Sequence, residues 1–295
     1  MRRFRLKGIA IHIHPTLWLV LAGYAMLGQI GQAVMAFSLV IAHEGAHIVA
    51  AKAQGVRVTA LEISPIGGSV QCEDTFEGQR WLESSIAAAG PALNILFLLG
   101  AEILRWQGGI GAGDVWLEDF IRLNFWLAGF NLIPVLPLDG GRIARALSCA
   151  AFGFVRVTKG FAGAGCALGI GLGLLALFSW WSQAPAGEFI LLSVLGLFFW
   201  LSGKREIFQA RIIFLRQLTR KKEELNRKGL MAAHWLTVRP DTPLVRIVET
   251  FTPDRYAFVA LEQPRFDRDQ IFTETEILDG LFRQGISGTI GRLRC

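Results

Sequence analysis

The chain has 295 residues, of which 52% are hydrophobic, and its mean hydropathy is +0.42. That length and composition fit one membrane domain followed by a small soluble domain. Charge is uneven, since residues 1–203 carry 13 Lys/Arg and 12 Asp/Glu, whereas the much shorter segment 204–295 carries 17 and 12. The net charge of +6 is compatible with nucleic-acid binding, but the basic residues gather beside apolar segments. We therefore attribute them to membrane orientation and expect no direct nucleic-acid partner.

Six apolar segments are predicted to cross the membrane. Basic residues lie at the amino terminus and in every even-numbered connection, whereas the odd-numbered connections hold only Arg105. The positive-inside rule then predicts a multi-pass protein of the cell membrane with both termini in the cytoplasm. The predicted spans are residues 15–32, 33–51, 83–104, 119–136, 160–181 and 187–203.

The connection between spans two and three has the pattern of a small β-hairpin. Residues 56–63 are rich in β-branched side chains, and Pro65 with Gly67 and Gly68 predicts a turn into a second strand. A hairpin at the membrane surface would offer an open edge to an extended peptide. An ordinary interfacial loop explains the same residues equally well.

An HExxH motif lies inside span two, at His43, Glu44 and His47. Residues four apart share one face of a helix, so the two imidazoles can bind one metal ion, while Glu44 can accept a proton from metal-bound water. Ionisable groups within a membrane are costly and therefore indicate function. Their place in the second half of the span predicts a metal site near the cytoplasmic face.

A catalytic zinc ion usually has three protein ligands, and Asp139 is the best candidate for the third. It is the only carboxylate near the cytoplasmic end of span four, and Pro134 and Pro137 loosen the helix before it. The alternative is that Asp139 caps a loop and pairs with Arg142. The remaining histidines are better explained as capping, interfacial or surface residues: His12, His14 and His234.

Two motifs together resemble the site-2 protease family of intramembrane zinc metalloproteases: HExxH at 43–47 and N-x-x-P-x-x-P-x-D-G at 131–140. The resemblance covers about residues 10–205 and is greatest to the sporulation branch, that of stage IV sporulation factor B. It implies that His43, His47 and Asp139 bind Zn²⁺, that Glu44 is the general base, and that Asn131 contacts the substrate or an oxyanion. Residues 90–94 resemble the family's G-P-x-x-N segment, a close-packing helix site with a polar anchor.

The resemblance also implies a membrane-associated protein substrate and regulated intramembrane proteolysis. For the sporulation branch it implies the precursor of a sporulation sigma factor as substrate, membrane-protein inhibitors as partners, and the membrane surrounding the forespore as location. The alternative is a zinc-binding membrane transporter or sensor without protease activity. Transport would favour further intramembrane histidines or carboxylates along a path, and the predicted spans offer few beyond Glu102.

The expected fold is mainly α and polytopic, with six transmembrane helices, a small membrane-associated β-hairpin and a small α/β cytoplasmic domain. We divide it into a membrane metalloprotease domain (1–203), a basic amphipathic linker helix (204–229) and a carboxy-terminal domain (230–295). The β-α-β-β-α outline of the last part is similar to one CBS motif. That similarity implies a homo-oligomer, because such motifs work in pairs, and it makes ATP a candidate ligand.

Overall fold

Helices dominate the computed structural model, which describes residues 3–6, 9–64, 67–72, 79–107, 114–251, 255–262, 271–285 and 288–293. The chain divides into two units, which are described separately. The first contains Met1–Phe76 and Trp81–Ala144, and the second contains Glu77–Arg80 and Arg145–Cys295.

The first unit contains a four-stranded sheet in the order β1-β2-β3-β4. Strand β2 pairs in parallel with β3, and the other two pairings are antiparallel. The chain leaves β2 through helix α1 and returns through helix α2 to β3, as a parallel pairing requires. The elements are β1 (Arg3–Leu6), β2 (Ile9–Ile13), α1 (Thr16–Met26), α2 (Ile30–Ala53), β3 (Val58–Ser64) and β4 (Gly67–Cys72).

The predicted hairpin is confirmed as β3 and β4, which are antiparallel from Val58↔Cys72 to Ser64↔Gly67. The predicted turn residue Pro65 lies outside the described residues. Strands β1 and β2 were not predicted, because the basic amino terminus was interpreted only as a cytoplasmic anchor. Apolar residues of β2, α1 and β3 form the local core: Ile9, Leu17, Leu61 and Ile63.

Three further helices complete the first unit and lead into the second: α3 (Arg80–Trp106), α4 (Val115–Asn131) and α5 (Asp139–Phe152). The Asp114 side chain caps α4 by accepting from the Trp116 backbone N–H (2.9 Å). Between α4 and α5 the backbone is not helical over residues 132–138, the segment that contains both prolines. Asp139 therefore begins a new helix.

In the second unit, the long helices α6 (Phe154–Trp181) and α7 (Ala186–Lys228) pack closely along small residues. A Cβ built on Gly169 would lie 2.6 Å from the Gly196 carbonyl oxygen, and one built on Gly196 would lie 2.8 Å from the Gly169 carbonyl oxygen. The two backbones touch at this level, which only glycine permits. Helix α7 continues without a break from the last predicted span through residues 204–228, although the side chains of residues 215–228 are not described.

The carboxy-terminal part has the predicted β-α-β-β-α order, followed by a short 3-10 turn at Ile290–Arg292. Its sheet has the order β5-β6-β7, with β5 parallel to β6 and β6 antiparallel to β7. The relation to CBS motifs stays a prediction. The elements are β5 (Ala233–Val238), α8 (Leu244–Val248), β6 (Tyr256–Leu261), β7 (Ile271–Thr273) and α9 (Glu274–Gln284).

One hydrophobic core joins this part to the long helices of the second unit. Phe154 at the start of α6 stacks on Phe214 of α7, with ring centroids 6.4 Å apart. Both rings belong to the same buried cluster as Leu244, Phe251 and Ile277. The carboxy-terminal part is therefore packed against α6 and α7 through this shared core.

Four helices of the described chain are long and apolar enough to cross a membrane: α2, α3, α6 and residues Ala186–Phe214 of α7. This agrees with the prediction of a membrane protein. Helices α1 and α4 have 11 and 17 residues. The count of six spans, which needs both of them, stays a prediction.

Replacing Gly169 by valine should separate α6 from α7. The new Cβ would meet backbone atoms that cannot move aside, at 2.6 Å and 2.7 Å, so we expect a loss of about 1–3 kcal/mol of stability. Thermal unfolding in detergent measures this. Gly171→Val on the same helix is the control, because no atom lies within 4 Å of its Cβ position. Equal unfolding temperatures for the two variants would contradict the close packing.

Candidate metal centre

The structure brings the side chains of His43, His47 and Asp139 together in the first unit. Asp139 Oδ2 lies 3.1 Å from His43 Nε2 and 3.2 Å from His47 Nε2, and the two Nε2 atoms are 3.2 Å apart. Helix α2 places both imidazoles on one face, one turn apart, and the first turn of α5 supplies the carboxylate. All three residues are buried. Asp139 thus faces the imidazoles, as the ligand hypothesis requires.

The spacing of these three atoms fits a tetrahedral zinc ion. With metal–ligand distances of about 2.0–2.1 Å, two ligands of a tetrahedral site lie about 3.3 Å apart. The three distances between the candidate ligand atoms, 3.1–3.2 Å, are close to this value, so the atoms can occupy three corners of such a tetrahedron. Two imidazole nitrogens and one carboxylate oxygen also form a donor set typical of catalytic zinc, with the fourth corner left for water.

Helix α3 packs directly against the metal-facing nitrogens. A Cβ built on Gly90 would lie 2.4 Å from His47 Nε2 and 2.6 Å from His43 Nε2. No larger residue fits there without displacing a ligand. The predicted close-packing role of the G-P-x-x-N segment is therefore seen at the metal centre itself.

The same face of α3 holds the outer nitrogens of both imidazoles. His47 Nδ1 donates to the Ile86 carbonyl oxygen (2.7 Å), and His43 Nδ1 donates to Asn94 Oδ1 (2.5 Å). With the proton on Nδ1, each Nε2 presents its lone pair to the metal position. The Asn94 contact gives the predicted polar anchor a defined partner. The Ile86 carbonyl was not predicted, because a backbone acceptor leaves no signature in sequence.

Glu44 lies beside strand β4. A Cβ built on Gly68 would lie 2.3 Å from Glu44 Cγ and 2.6 Å from its Cδ, so only glycine accommodates the Glu44 side chain there. Within the described residues β4 is the end strand of its sheet, paired only with β3. The candidate base thus lies against the face of β4, the end strand of the sheet among the described residues, and this contact was not predicted.

The other candidate residues lie elsewhere. Asn131 ends α4, and its Nδ2 donates to the Leu127 carbonyl oxygen of the same helix (3.0 Å), so its proposed contact with substrate stays a prediction. His14 Nδ1 lies 2.6 Å from Thr16 Oγ1 at the start of α1, in keeping with a capping role. His12 lies in β2 and His234 in β5. Among the described residues, the one possible metal-binding group is His43, His47 and Asp139.

Residues 32–105, which contain the HExxH motif and most of α3, match the model of Peptidase family M50. The chain is also 29% identical to the solved site-2 protease of Methanocaldococcus jannaschii, with a TM-score of 0.55, over 70% of this chain and 94% of that one. This protein contains a Peptidase M50 (site-2 protease) family domain. The predicted family is confirmed.

Curated relatives of this chain include a zinc metalloprotease of Methanocaldococcus jannaschii, 27% identical over 87% of this chain and 73% of the relative. The stage IV sporulation protein FB of Bacillus subtilis is 30% identical over 46% of each chain. A protein named as a putative zinc metalloprotease, Rip3 of Mycobacterium tuberculosis, is 31% identical over 62% of this chain and 47% of its own. The chain thus spans less than half of the last two relatives. The predicted enzyme class, a metalloprotease, is confirmed by the family and these relatives.

Two alanine substitutions, at Gly90 and at Gly68, should have different effects, the first on metal binding and the second on proton transfer by Glu44. Gly90→Ala places a methyl group on the ligand nitrogens, so we expect loss of bound zinc, measured by elemental analysis of the purified protein. Gly68→Ala displaces only the flexible Glu44 side chain, so we expect normal zinc content with cleavage reduced at least tenfold. Gly45→Ala is the control, since no atom lies within 4 Å of its Cβ position. Normal zinc in Gly90→Ala would contradict this geometry.

Proposed function

We propose that this protein is a site-2 protease, a zinc endopeptidase that hydrolyses a peptide bond of a membrane-associated protein by regulated intramembrane proteolysis. The observation that carries the proposal is the triangle of His43, His47 and Asp139 beside Glu44, which itself lies against β4, the end strand of its sheet within the described residues. This arrangement combines a metal-binding donor set, a base and a place for an extended peptide.

The chain's own residues account for most of the mechanism. His43, His47 and Asp139 would hold Zn²⁺, which supplies Lewis-acid polarisation of the scissile carbonyl and makes a water molecule more acidic. Glu44 takes a proton from the attacking water and later returns it to the leaving amine nitrogen. Burial of the three ligands keeps bulk water from them. Asn131 is the proposed contact for substrate or for the oxyanion.

The free edge of β4 suits the conformation that a scissile peptide needs. A helical substrate has its backbone groups bonded internally, so it must unwind before Glu44 and the metal can reach a carbonyl. An extended segment added alongside β4 would regain backbone hydrogen bonds, which offsets part of that cost. Gly68 brings this strand next to Glu44, so a peptide on the strand edge would lie near the base.

The alternative of a zinc transporter or sensor finds less support. Transport calls for further metal-binding groups along a path, whereas the described residues contain one possible group, that of His43, His47 and Asp139. Glu44 next to the ligand set has a direct use in hydrolysis. The metalloprotease relatives favour the same conclusion.

We further propose that both termini lie in the cytoplasm and that the metal centre is near the cytoplasmic face. Basic residues in the even-numbered connections support this orientation. The parallel pairing of β2 with β3 adds support, because it requires the segments before α1 and after α2 to be on one side. The relation to stage IV sporulation protein FB suggests a role in sporulation. On the resemblance to the sporulation branch, we also propose a sigma-factor precursor as substrate, membrane-protein inhibitors as partners, and the membrane around the forespore as location.

Glu44→Gln should keep its zinc and lose cleavage, since the amide preserves size but accepts no proton. The assay co-expresses wild type or variant with a sporulation sigma-factor precursor and, separately, with a single-span membrane protein. We expect the variant to cleave whichever substrate the wild type cuts at a rate lower by a factor of at least about 10³. Cleavage of the single-span protein alone would exclude the sporulation role and leave the protease assignment standing. Wild-type rates from the variant would falsify the protease assignment.

The carboxy-terminal sheet supports a proposal of pairing between two copies, with ATP as candidate ligand. Its exposed face carries Trp235, 60% exposed, which stacks on Phe258 at 5.1 Å between ring centroids. Exposed stacked aromatics are typical of contact surfaces. We expect Trp235→Ala to weaken oligomers of the full chain, measured by light scattering in detergent with and without ATP. Phe208→Ala, also at an exposed aromatic but on α7, is the control.

A further inference from the structure

A row of buried side-chain amides connects α4 to the metal centre. Asn94 Nδ2 donates to Asn124 Oδ1 (2.9 Å), and Asn124 Nδ2 donates to the Phe120 carbonyl oxygen one turn earlier in α4 (2.8 Å). At the other end, Asn94 Oδ1 accepts from His43 Nδ1 (2.5 Å). Both asparagines have no exposed surface. No proposed step of the reaction uses Asn124.

The two histidines differ in how their partners are fixed. His47 Nδ1 donates to the Ile86 backbone carbonyl, which is an acceptor in every state of the protein. His43 Nδ1 instead faces an asparagine, whose amide presents either an oxygen or an NH₂ group depending on its rotation. If the NH₂ group faced His43, Nδ1 would have to accept. The proton would then sit on Nε2 and block the metal-facing lone pair.

The direction of the amide row is set at its far end. The Phe120 carbonyl can only accept, so Asn124 must turn its NH₂ group towards it and its Oδ1 towards Asn94. Asn94 then donates to that oxygen, which leaves its own Oδ1 for His43. Rotating either amide would place two donors or two acceptors face to face in a buried site, where no water can replace the lost bonds.

We propose that Asn124 is a positioning residue of the metal centre, which acts through Asn94 to keep the His43 proton on Nδ1 and so to keep Nε2 available to Zn²⁺. The inference rests on the proposed zinc site and extends it to a residue of α4 that touches no ligand. Partners that orient metal-bound imidazoles typically contribute a factor of about 10–100 in metal affinity.

The test is a double-mutant cycle of zinc affinity, measured on the full chain in detergent by competition with a chelator. Asn124→Leu in the wild-type background should weaken zinc binding about 10–100-fold. In an Asn94→Asp background the new carboxylate can only accept from His43 Nδ1, so it needs no orientation by Asn124. Adding Asn124→Leu there should not weaken zinc binding, because it removes only an acceptor, Asn124 Oδ1, that would face the new carboxylate.

Gln32→Leu is the matched control for this cycle. Gln32 Nε2 donates to Asp119 Oδ2 (3.0 Å), so it also joins α2 to α4 through a polar contact, but it does not reach the histidines. Its loss should leave zinc affinity unchanged.

Three outcomes would overturn the inference. An equal loss from Asn124→Leu in both backgrounds would show that Asn124 acts only through packing. Unchanged affinity in the wild-type background would show that the amide row is not needed. A wild-type chain without zinc affinity would remove the metal site itself, a failure that is distinguishable from the other two.

Discussion

An imidazole or a carboxylate placed in an apolar interior must be paired, because no water is present to solvate it. The metal centre meets this requirement with one helix. Ile86, Gly90 and Asn94 are spaced four residues apart, so they lie along one face of α3 opposite His43 and His47. The Ile86 carbonyl oxygen accepts from His47, Gly90 leaves space for both imidazoles, and Asn94 Oδ1 accepts from His43. Helix α3 thereby determines which nitrogen of each ring faces Asp139.

The sheet of the first unit places the backbone of strand β4 close to Glu44, the candidate base. Strand β4 reaches Glu44 because Gly68 has no side chain, and its outer edge is free within the described residues. The strand pairs with β3, and β3 is held in turn by two strands from the amino terminus, β2 and β1. Rigid support of the strand fixes the distance between an added peptide and the catalytic groups, which is a condition for efficient proton transfer.

Local patterns were enough to identify the candidate ligands, whose side chains the structure brings together, and the candidate base beside them. HExxH places its groups by helix geometry alone, and the two prolines before Asp139 indicated a break in the helix, which the structure has at residues 132–138. Contacts between distant segments were not predictable in this way. The parallel pairing of β2 with β3 depends on how α1 and α2 return the chain, and the contact of Gly68 with Glu44 depends on that sheet. Asn124 gave a weak signal, an amide in the middle of a predicted span, but its partner is 30 residues away.

The parallel pairing of β2 with β3 has a consequence for biosynthesis. The amino-terminal strands emerge from the ribosome first, yet their partner follows α1 and α2 in the chain. The sheet can therefore close only after both helices have been synthesised and have folded back to bring β3 beside β2. Glu44 gains its neighbouring strand at that moment, and we expect a nascent chain to remain unable to cut other proteins during its insertion.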